Sequence, residues 1–483
     1  MSLTAAMSTA LSGLTANVRA AGIVSNNIAN ADTEGYARRI LDLSIANAGT
    51  AGGVTINGVI RQTNAYIIED RRAVQSELAY SNEIQGFYET MESAVGGAED
   101  SGSLTYLLTQ FENAINTAAA NPAQDQRLES LAYAAEDLVE KINLVSDEIQ
   151  STRELAEDGI ESMIETINDN LEAVAEINKQ IIKVAARDGD ISSLEDQRQV
   201  LLDDLSDYIP LTTKLQDNGV MHVYTKGGLT LLERNVSTFS FEKSNIIDAS
   251  LSYENGDFSA LMLNDIELNT TSTGSISGGS LAALFEIRDE YAVTEQEQID
   301  AIARDLIERF ADSGLDATIG TANIGLFTDS GSALVAANET GIASRLTLNS
   351  AVQPDGGEFW KLRDGLYATA QGDVGDASLL NAYSEKLSEQ TVPSSANLDA
   401  VQAGFISHIE EFSSGVSSSL YRAQNDTTFT NTRYLATKEA ELELSVDTDQ
   451  ELQILIRVEQ QYAANAQVMS VIDELMERLL NTF

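Results

Sequence analysis

Two histidines, His222 and His408, and no cysteine make up the soft-ligand inventory of the chain. Disulfides, thiolate nucleophiles, haem attachment and zinc sites of the Cys/His kind need residues that are absent. His222 falls in a segment that alternates like a strand, His408 in one that repeats like a helix. Neither has neighbours in sequence that would build a nucleophile, a base and an oxyanion site, so both read as packed or surface side chains. Gly274-Ser275-Ile276-Ser277-Gly278-Gly279 is glycine-rich but lacks the phosphate-loop lysine and the dinucleotide spacing, and reads as a turn into a helix. Asp447, Asp449 and Glu451 are spaced like the start of a calcium loop. The central glycine and the remainder of the loop are missing, and the three read as a solvated helix N-terminus with favourable acid. Asp203-Asp204 reads as a solvated face, because paired carboxylates carry little information in a chain with 75 acids. No catalytic residue, cofactor or metal ligand is expected.

The elements that would position any site are mostly helices. The chain has 483 residues, enough for several domains, and only 4 prolines, which leaves room for long helices. With 29 basic and 75 acidic residues its net charge is −46, which excludes the broad basic surface that nucleic acid or anionic lipid needs. No segment approaches the roughly 18 apolar residues of a membrane span, and the first residues carry no basic run of a cleavable signal.

Periodic apolar positions mark helices at Ile84–Val95, at Leu104–Ala118 and from Asn121-Pro122 to about Asp188, the last either kinked near Gly159 or unbroken. Another begins near Ser193, with Ser193 and Asp196 as a capping pair. From Pro210 to about Thr271 the pattern alternates between frequent turns, with strands expected at Met221–Thr225 and Phe239–Glu242. Helix resumes at Leu281–Ala311, Ala377–Gln390 and Leu398–Tyr434, around a Gly- and Ala-rich stretch at 312–375.

The two ends mirror each other. Leu3, Met7, Ala10, Leu14, Asn17, Ala21, Val24, Ile28 and Ala31 alternate by four and three, as do Leu455, Val458, Tyr462, Asn465, Met469, Ile472, Met476, Leu479 and Phe483. Each set is one helix seam, small on the first and bulky on the second, with one asparagine in each to set register. Gly13 and Gly22 weaken the first helix by about 1 kcal/mol each, so the ends are expected to become rigid only against partners.

The expected fold is mainly α with a β-rich middle: an elongated multi-domain chain whose terminal helices pair as a coiled coil around a long helical bundle with an inserted β segment. Residues 1–32 and 445–483 would form the coil, 33–209, 281–311 and 376–444 the helical core, 210–280 its β-rich part, and 312–375 a small insertion or outer domain.

Ser25-Asn26-Asn27-Ile28-Ala29-Asn30-Ala31-Asp32-Thr33-Glu34-Gly35-Tyr36-Ala37-Arg38-Arg39 closely resembles the N-terminal signature of the bacterial flagellar axial proteins, the rod, hook and hook-associated proteins. Gln460-Gln461-Tyr462-Ala463-Ala464-Asn465-Ala466-Gln467-Val468-Met469 is similar to their terminal helix. Leu194-Glu195-Asp196-Gln197-Arg198, Leu202–Ser206 and Asn121–Leu128 resemble the hook-associated branch that begins the hook–filament junction. Where relatives often carry Gly-Val-Asn-Leu-Asp-Glu-Glu, this chain has Ser445-Val446-Asp447-Thr448-Asp449-Gln450-Glu451.

The resemblance implies a structural protein of the bacterial flagellum that is not an enzyme. It would assemble helically on the hook tip through its terminal helices, outside the cell, after export through the type III apparatus without a cleaved signal. Implied partners are the hook protein, the second junction protein and the flagellin side, further copies of the chain in a ring, and a cytoplasmic chaperone on the C-terminal helix; nucleic acid and membrane are not among them. In the motif Ser25, Asn26, Asn27, Ile28, Ala29, Asn30 and Thr33, the residues beyond the seam would contact neighbours, Asn26, Asn27 and Asn30 through their side-chain amides, while Ile28 lies on the seam; Gly35 would end the helix and Tyr36 pack on the linker, and a plain helix C-terminus with turn residues reads the same way. Without the resemblance, the same pattern fits a cytoplasmic helical scaffold or signalling protein with self-paired ends; a secreted enzyme in the β region has no residue constellation behind it.

Overall fold

The computed structural model describes residues 3–46, 52–97, 100–253, 255–312, 314–320, 324–398 and 401–481; Phe483, expected at the end of the C-terminal seam, lies outside them. The chain is mainly helical with small antiparallel sheets in its middle, and its first and last helices, α1 (Leu3–Ala29) and α12 (Thr448–Leu480), pack on each other.

The body is built on the long helices α2 (Ala65–Val95), α4 (Asp125–Ala185) and α11 (Phe405–Leu442), with the shorter α3 (Leu104–Ala120) packed on α4. α4 has 61 residues and runs as one helix through Gly159, so it spans about 90 Å. Gly159 is where Leu284 comes closest: a Cβ there would lie 2.7 Å from Leu284 Cδ1. One face of α4 is buried along its length by Leu128, Leu131, Leu138, Ile142, Val145, Ile149, Ile160, Ile167, Leu171 and Val174, the stripe its apolar periodicity requires. α5 (Ser192–Tyr208) follows. It has no capping pair: its N-cap residue is Ile191, Asp190 accepts from Ser192 N at 3.0 Å, and Asp196 is engaged elsewhere.

Strands β3 (Leu211–Leu215), β4 (Met221–Thr225) and β5 (Thr230–Leu232) form one antiparallel sheet; β6 (Phe239–Ser240), β7 (Met262–Leu263) and β8 (Ile266–Glu267) form another. Gly278 and Gly279, both at positive φ, turn the chain into α6 (Gly279–Glu286), which passes through a π-helical turn at Ile287–Tyr291 into α7 (Ala292–Phe310). The stretch 312–375 holds the strand pair β9 (Phe327–Asp329) and β10 (Leu346–Leu348) with the short helices α8 (Ile342–Arg345) and α9 (Lys361–Asp364). Its Leu326, Phe327, Ile342, Leu346 and Leu362 are buried in the same core as the bundle. α10 (Ser378–Ser388) leads back to α11.

Within the stretch 33–209, expected as part of the helical core, the chain first makes an antiparallel hairpin of β1 (Arg39–Ile45) and β2 (Val54–Arg61). Its register shifts at Asp42/Leu43, so that Asn57 is an extra residue on β2. Ile40, Leu41, Leu43, Ile45, Val54, Ile56, Val59 and Ile60 are β-branched or leucine, a composition that suits a half-exposed pleat. The hairpin lies back along α1: Ser12 Oγ accepts from Val54 N at 3.2 Å, and Thr9 Oγ1 donates to Gly52 O at 2.7 Å.

A buried ion network pins the β-rich middle to α4. Arg288 is fully buried, donates to Glu157 at 2.5 Å and to Asp289 at 2.8 Å, and sits over the rings of Phe241, Phe258 and Phe285. Arg153 beside it donates to the carbonyls of Asp248, Leu251 and Arg288, so loop carbonyls that have left the sheet are still satisfied.

Candidate assembly site

The coil is antiparallel. Gly13 faces Asn465, with a Cβ position 2.8 Å from its Nδ2, and Asn27 donates to Glu451 at 3.1 Å. The intervals 27 − 13 and 465 − 451 are both 14, so the helices keep one register over four turns. By that count Leu3 stands level with Leu475, and the last described turn of α12 runs past the start of the described α1.

Of the positions expected to pair, Ala10, Asn17, Val24, Val458 and Ile472 are buried. Leu3, Leu14, Ala21, Ile28, Leu455, Asn465 and Met469 are half-buried. Met7, Tyr462, Met476 and Leu479 are exposed. Alanines and Gly13 let the helices approach closely but cover a narrow strip, and the larger side chains at its margins stay in solvent. Asn17 Nδ2 is buried without a partner among the described residues.

The motif residue Asn27 was expected to face neighbouring copies and is instead an internal fastener. Its Nδ2 donates to Arg39 O at 2.9 Å and to Glu451, and its Oδ1 accepts from Arg39 N at 3.0 Å and from the Tyr36 hydroxyl at 2.8 Å. Those four bonds exhaust the capacity of an amide. Ser25, Asn26, Ala29 and Thr33 are exposed, and Asn30 folds back onto Asn26 O at 2.9 Å. The helix stops at Ala29, six residues before Gly35. Gly35 lies in the turn beyond, at φ +73°, where a Cβ would sit 2.3 Å from Val200 Cγ2; conformation and contact both demand glycine. Tyr36 packs under the Arg39 guanidinium, 4.7 Å from the ring centre, and burial raises its phenol pKa.

Glu451, expected in solvent, is 1% exposed and accepts from Arg38 Nε at 2.7 Å as well as from Asn27. Asp447 fulfils the helix-start reading: it caps α12 by accepting from Asp449 N and Gln450 N. A second fastener ties the motif to the body. Asp196 on α5 accepts from Ala37 N at 3.2 Å, Arg39 Nη2 at 2.6 Å and Arg61 Nε at 2.7 Å. A third gathers α2, α5 and α11: Arg71 binds Asp203 and Glu441, Arg72 binds Asp203 at 2.6 Å, and Gln199 donates to Glu441 at 3.0 Å. Asp203 is therefore paired, not solvated. These fasteners surround a cleft of about 630 Å³ lined by the 31–37 turn, Asn64, Arg71, Asp207 and Lys438. Sequence periodicity passed over Arg38, Arg39, Arg61, Asp196 and Glu451, because it records only apolar spacing. The one available signal was adjacent arginines in a chain with few cations.

His408 is buried with both ring nitrogens unpartnered among the described residues, and His222 is half-buried beside Tyr224. Among the described residues no group of three or more His, Cys, Asp or Glu could hold a metal ion, and no helix is long and apolar enough to cross a membrane.

Three family models match the chain: a flagella basal body rod protein at residues 7–36, the flagellar hook-associated protein FlgK helical domain at 88–327, and the flagellar basal body rod FlgEFG protein C-terminal region at 444–482. Flagellar hook-associated protein 1 of Salmonella typhimurium is 27% identical over 233 residues, 46% of this chain and 42% of that protein. The protein of the same name from Escherichia coli is 24% identical over 55% of this chain and 50% of its own length, and that from Bacillus subtilis 23% over 58% and 59%. The chain spans about half the length of the curated relatives it matches. The solved flagellar hook junction protein FlgK from Burkholderia pseudomallei is similar with a TM-score of 0.45 at 18% identity, over 55% of this chain and 47% of that one.

Proposed function

Because this chain belongs to the FlgK family of flagellar hook-associated proteins, we propose that it is a structural subunit of the hook–filament junction, assembling helically on the hook tip through α1 and α12. The observation that carries this is the coil's uncovered margin. On α1, Met7, Leu11 and Val18 are exposed; on α12, Val468, Val471, Leu475 and Leu479 form a second exposed row. Their spacings by three, four and seven put each row on one helix face. Large apolar side chains left in solvent beside a narrow seam suit burial by neighbouring coils.

In this reading each coil packs among coils of further copies, with hook protein below and the second junction protein and flagellin above. The α12 row is what a cytoplasmic chaperone would cover before export without a cleaved signal.

The test is Leu11→Glu with Val18→Glu in a strain whose own copy is deleted. Neither residue lies on the intramolecular seam, so the free protein should keep its helical content while filaments fail to grow. Normal filament growth would reject the assignment.

A further inference from the structure

The coil accounts for the ends of the molecule; on the body, charge is distributed unevenly. α4 carries 15 acidic and 5 basic residues, and Glu140, Glu154, Glu161, Glu165 and Glu172 along it are exposed. On α11, residues 414–436 contain only Arg422, Asp426 and Arg433 as charged groups, a net of +1 in a chain of −46. The inner face of that stretch is spoken for, with Val416, Leu420 and Ala423 buried on the body. The outer face shows Tyr421 at 66%, Phe429 at 66% and Leu435 at 56% exposure, set among serine, threonine and asparagine. Elsewhere the surface keeps itself soluble with carboxylates. Here they are missing, and the composition is that of an interface: aromatics and arginine present, acids and lysine depleted.

We propose that this outer face of α11 is a lateral docking strip for a second copy of the chain, which presents its acid-rich α4 flank. Charge selects the occupant. A copy carrying −46 is repelled by most of its twin's surface and least by a strip that is neutral to positive, and Arg422 and Arg433 supply cations for the carboxylates of α4. Arg433 now leans on Glu77 at 2.6 Å and over the Phe429 ring at 5.9 Å, both at the surface, so it is pre-positioned and wet. Strip against flank is a heterologous contact, which propagates around a ring or along a helix and does not close as a dimer. The proposal rests on the assembly reading above, to which it adds a second contact outside the coil.

A photocrosslinker tests it: Thr428→benzoylphenylalanine, irradiated in isolated hook–junction particles. The expected adduct joins two copies, with the captured peptide from residues 125–185. Capture of the partner's own α11, capture of a different protein, or no adduct would each overturn it. In parallel, Asn425→Glu, Thr428→Glu and Thr432→Glu together restore to the strip the acid density of the remaining surface. Filament-bearing cells should fall at least tenfold while the free protein keeps its helical content. If these variants assemble normally while Leu11→Glu with Val18→Glu does not, the strip is wrong and the junction function stands. If the coil variant also assembles, the function itself falls.

Discussion

Asn27 and Glu451 lie 424 residues apart in the chain and share a hydrogen bond of 3.1 Å, the carboxylate 1% exposed and held from its other side by Arg38. The bond ties the end of the first helix to the start of the last at the point where the coil meets the body. A buried acceptor so placed stabilises while its donors are present and costs free energy when they are not.

Glu451→Ala should therefore loosen the coil by about 2–3 kcal/mol, because Asn27 and Arg38 both lose a charged partner. Glu451→Gln, which can still bond Asn27, should cost less. Amide exchange of α1 and α12 is the measurement. The coil should exchange faster in the variant while α4, buried through another core, keeps its protection; equal loss in both would mean that coil and body unfold as one unit.

Gly13 and Asn465 give a sign-changing pair. Gly13→Ala adds about 1 kcal/mol of helix propensity but places a methyl 2.8 Å from Asn465 Nδ2, so alone it should not stabilise. With Asn465→Ala the clash disappears and the same change should stabilise by roughly that amount. A double-mutant cycle on thermal unfolding of the coil reads the coupling; additive effects would show that the helices do not touch there.

Breaking the Arg288 network should be severe. Arg288→Ala leaves Glu157 charged and buried with, among the described residues, the Ser244 N–H as its remaining donor and should cost about 3–5 kcal/mol. Arg288→Met together with Glu157→Leu removes both charges and should recover most of the loss. Urea denaturation of the three proteins decides between these outcomes.

Mild acid should stabilise the fold. Burial pushes Glu295 up to about 7 and Asp300 up to about 6, the latter against the opposing pull of its bonds from Gly341 N and Ala343 N. Folded carboxyls thus hold protons that unfolded ones release, so stability falls as pH rises from about 4.5 through 7 and is regained on acidification. The melting temperature should be higher at pH 5.5 than at pH 8, and Glu295→Gln should flatten that difference. An unchanged difference would exclude Glu295 as its source.

Helices were legible wherever one face had to be apolar: α3, α4, α7 and α10 lie where their leucines and isoleucines recur. So was strand β4, which alternates. The hairpin β1–β2 was not, because its β-branched residues follow a helical motif and its two strands, Arg39–Ile45 and Val54–Arg61, are not adjacent in sequence, so no short Asn-Gly or Asp-Gly signal announces the pairing. Ser193 and Asp196 look like a capping pair, but three donors from another part of the chain claim Asp196. Glu451 looks solvated by its neighbours Asp447 and Asp449; its burial depends on α1, which sequence proximity cannot report.

From sequence alone came the paired ends, the mainly helical body, the absence of cysteine chemistry and the resemblance to axial proteins, since each rests on local spacing or composition. Tertiary structure alone decided the antiparallel register of the coil, the inward turn of Asn27 and the joining of Arg38, Arg39 and Arg61 to Glu451 and Asp196. Periodicity states which side of a helix is buried; which charged group meets which is set by where distant segments are brought in space, and no local pattern encodes that.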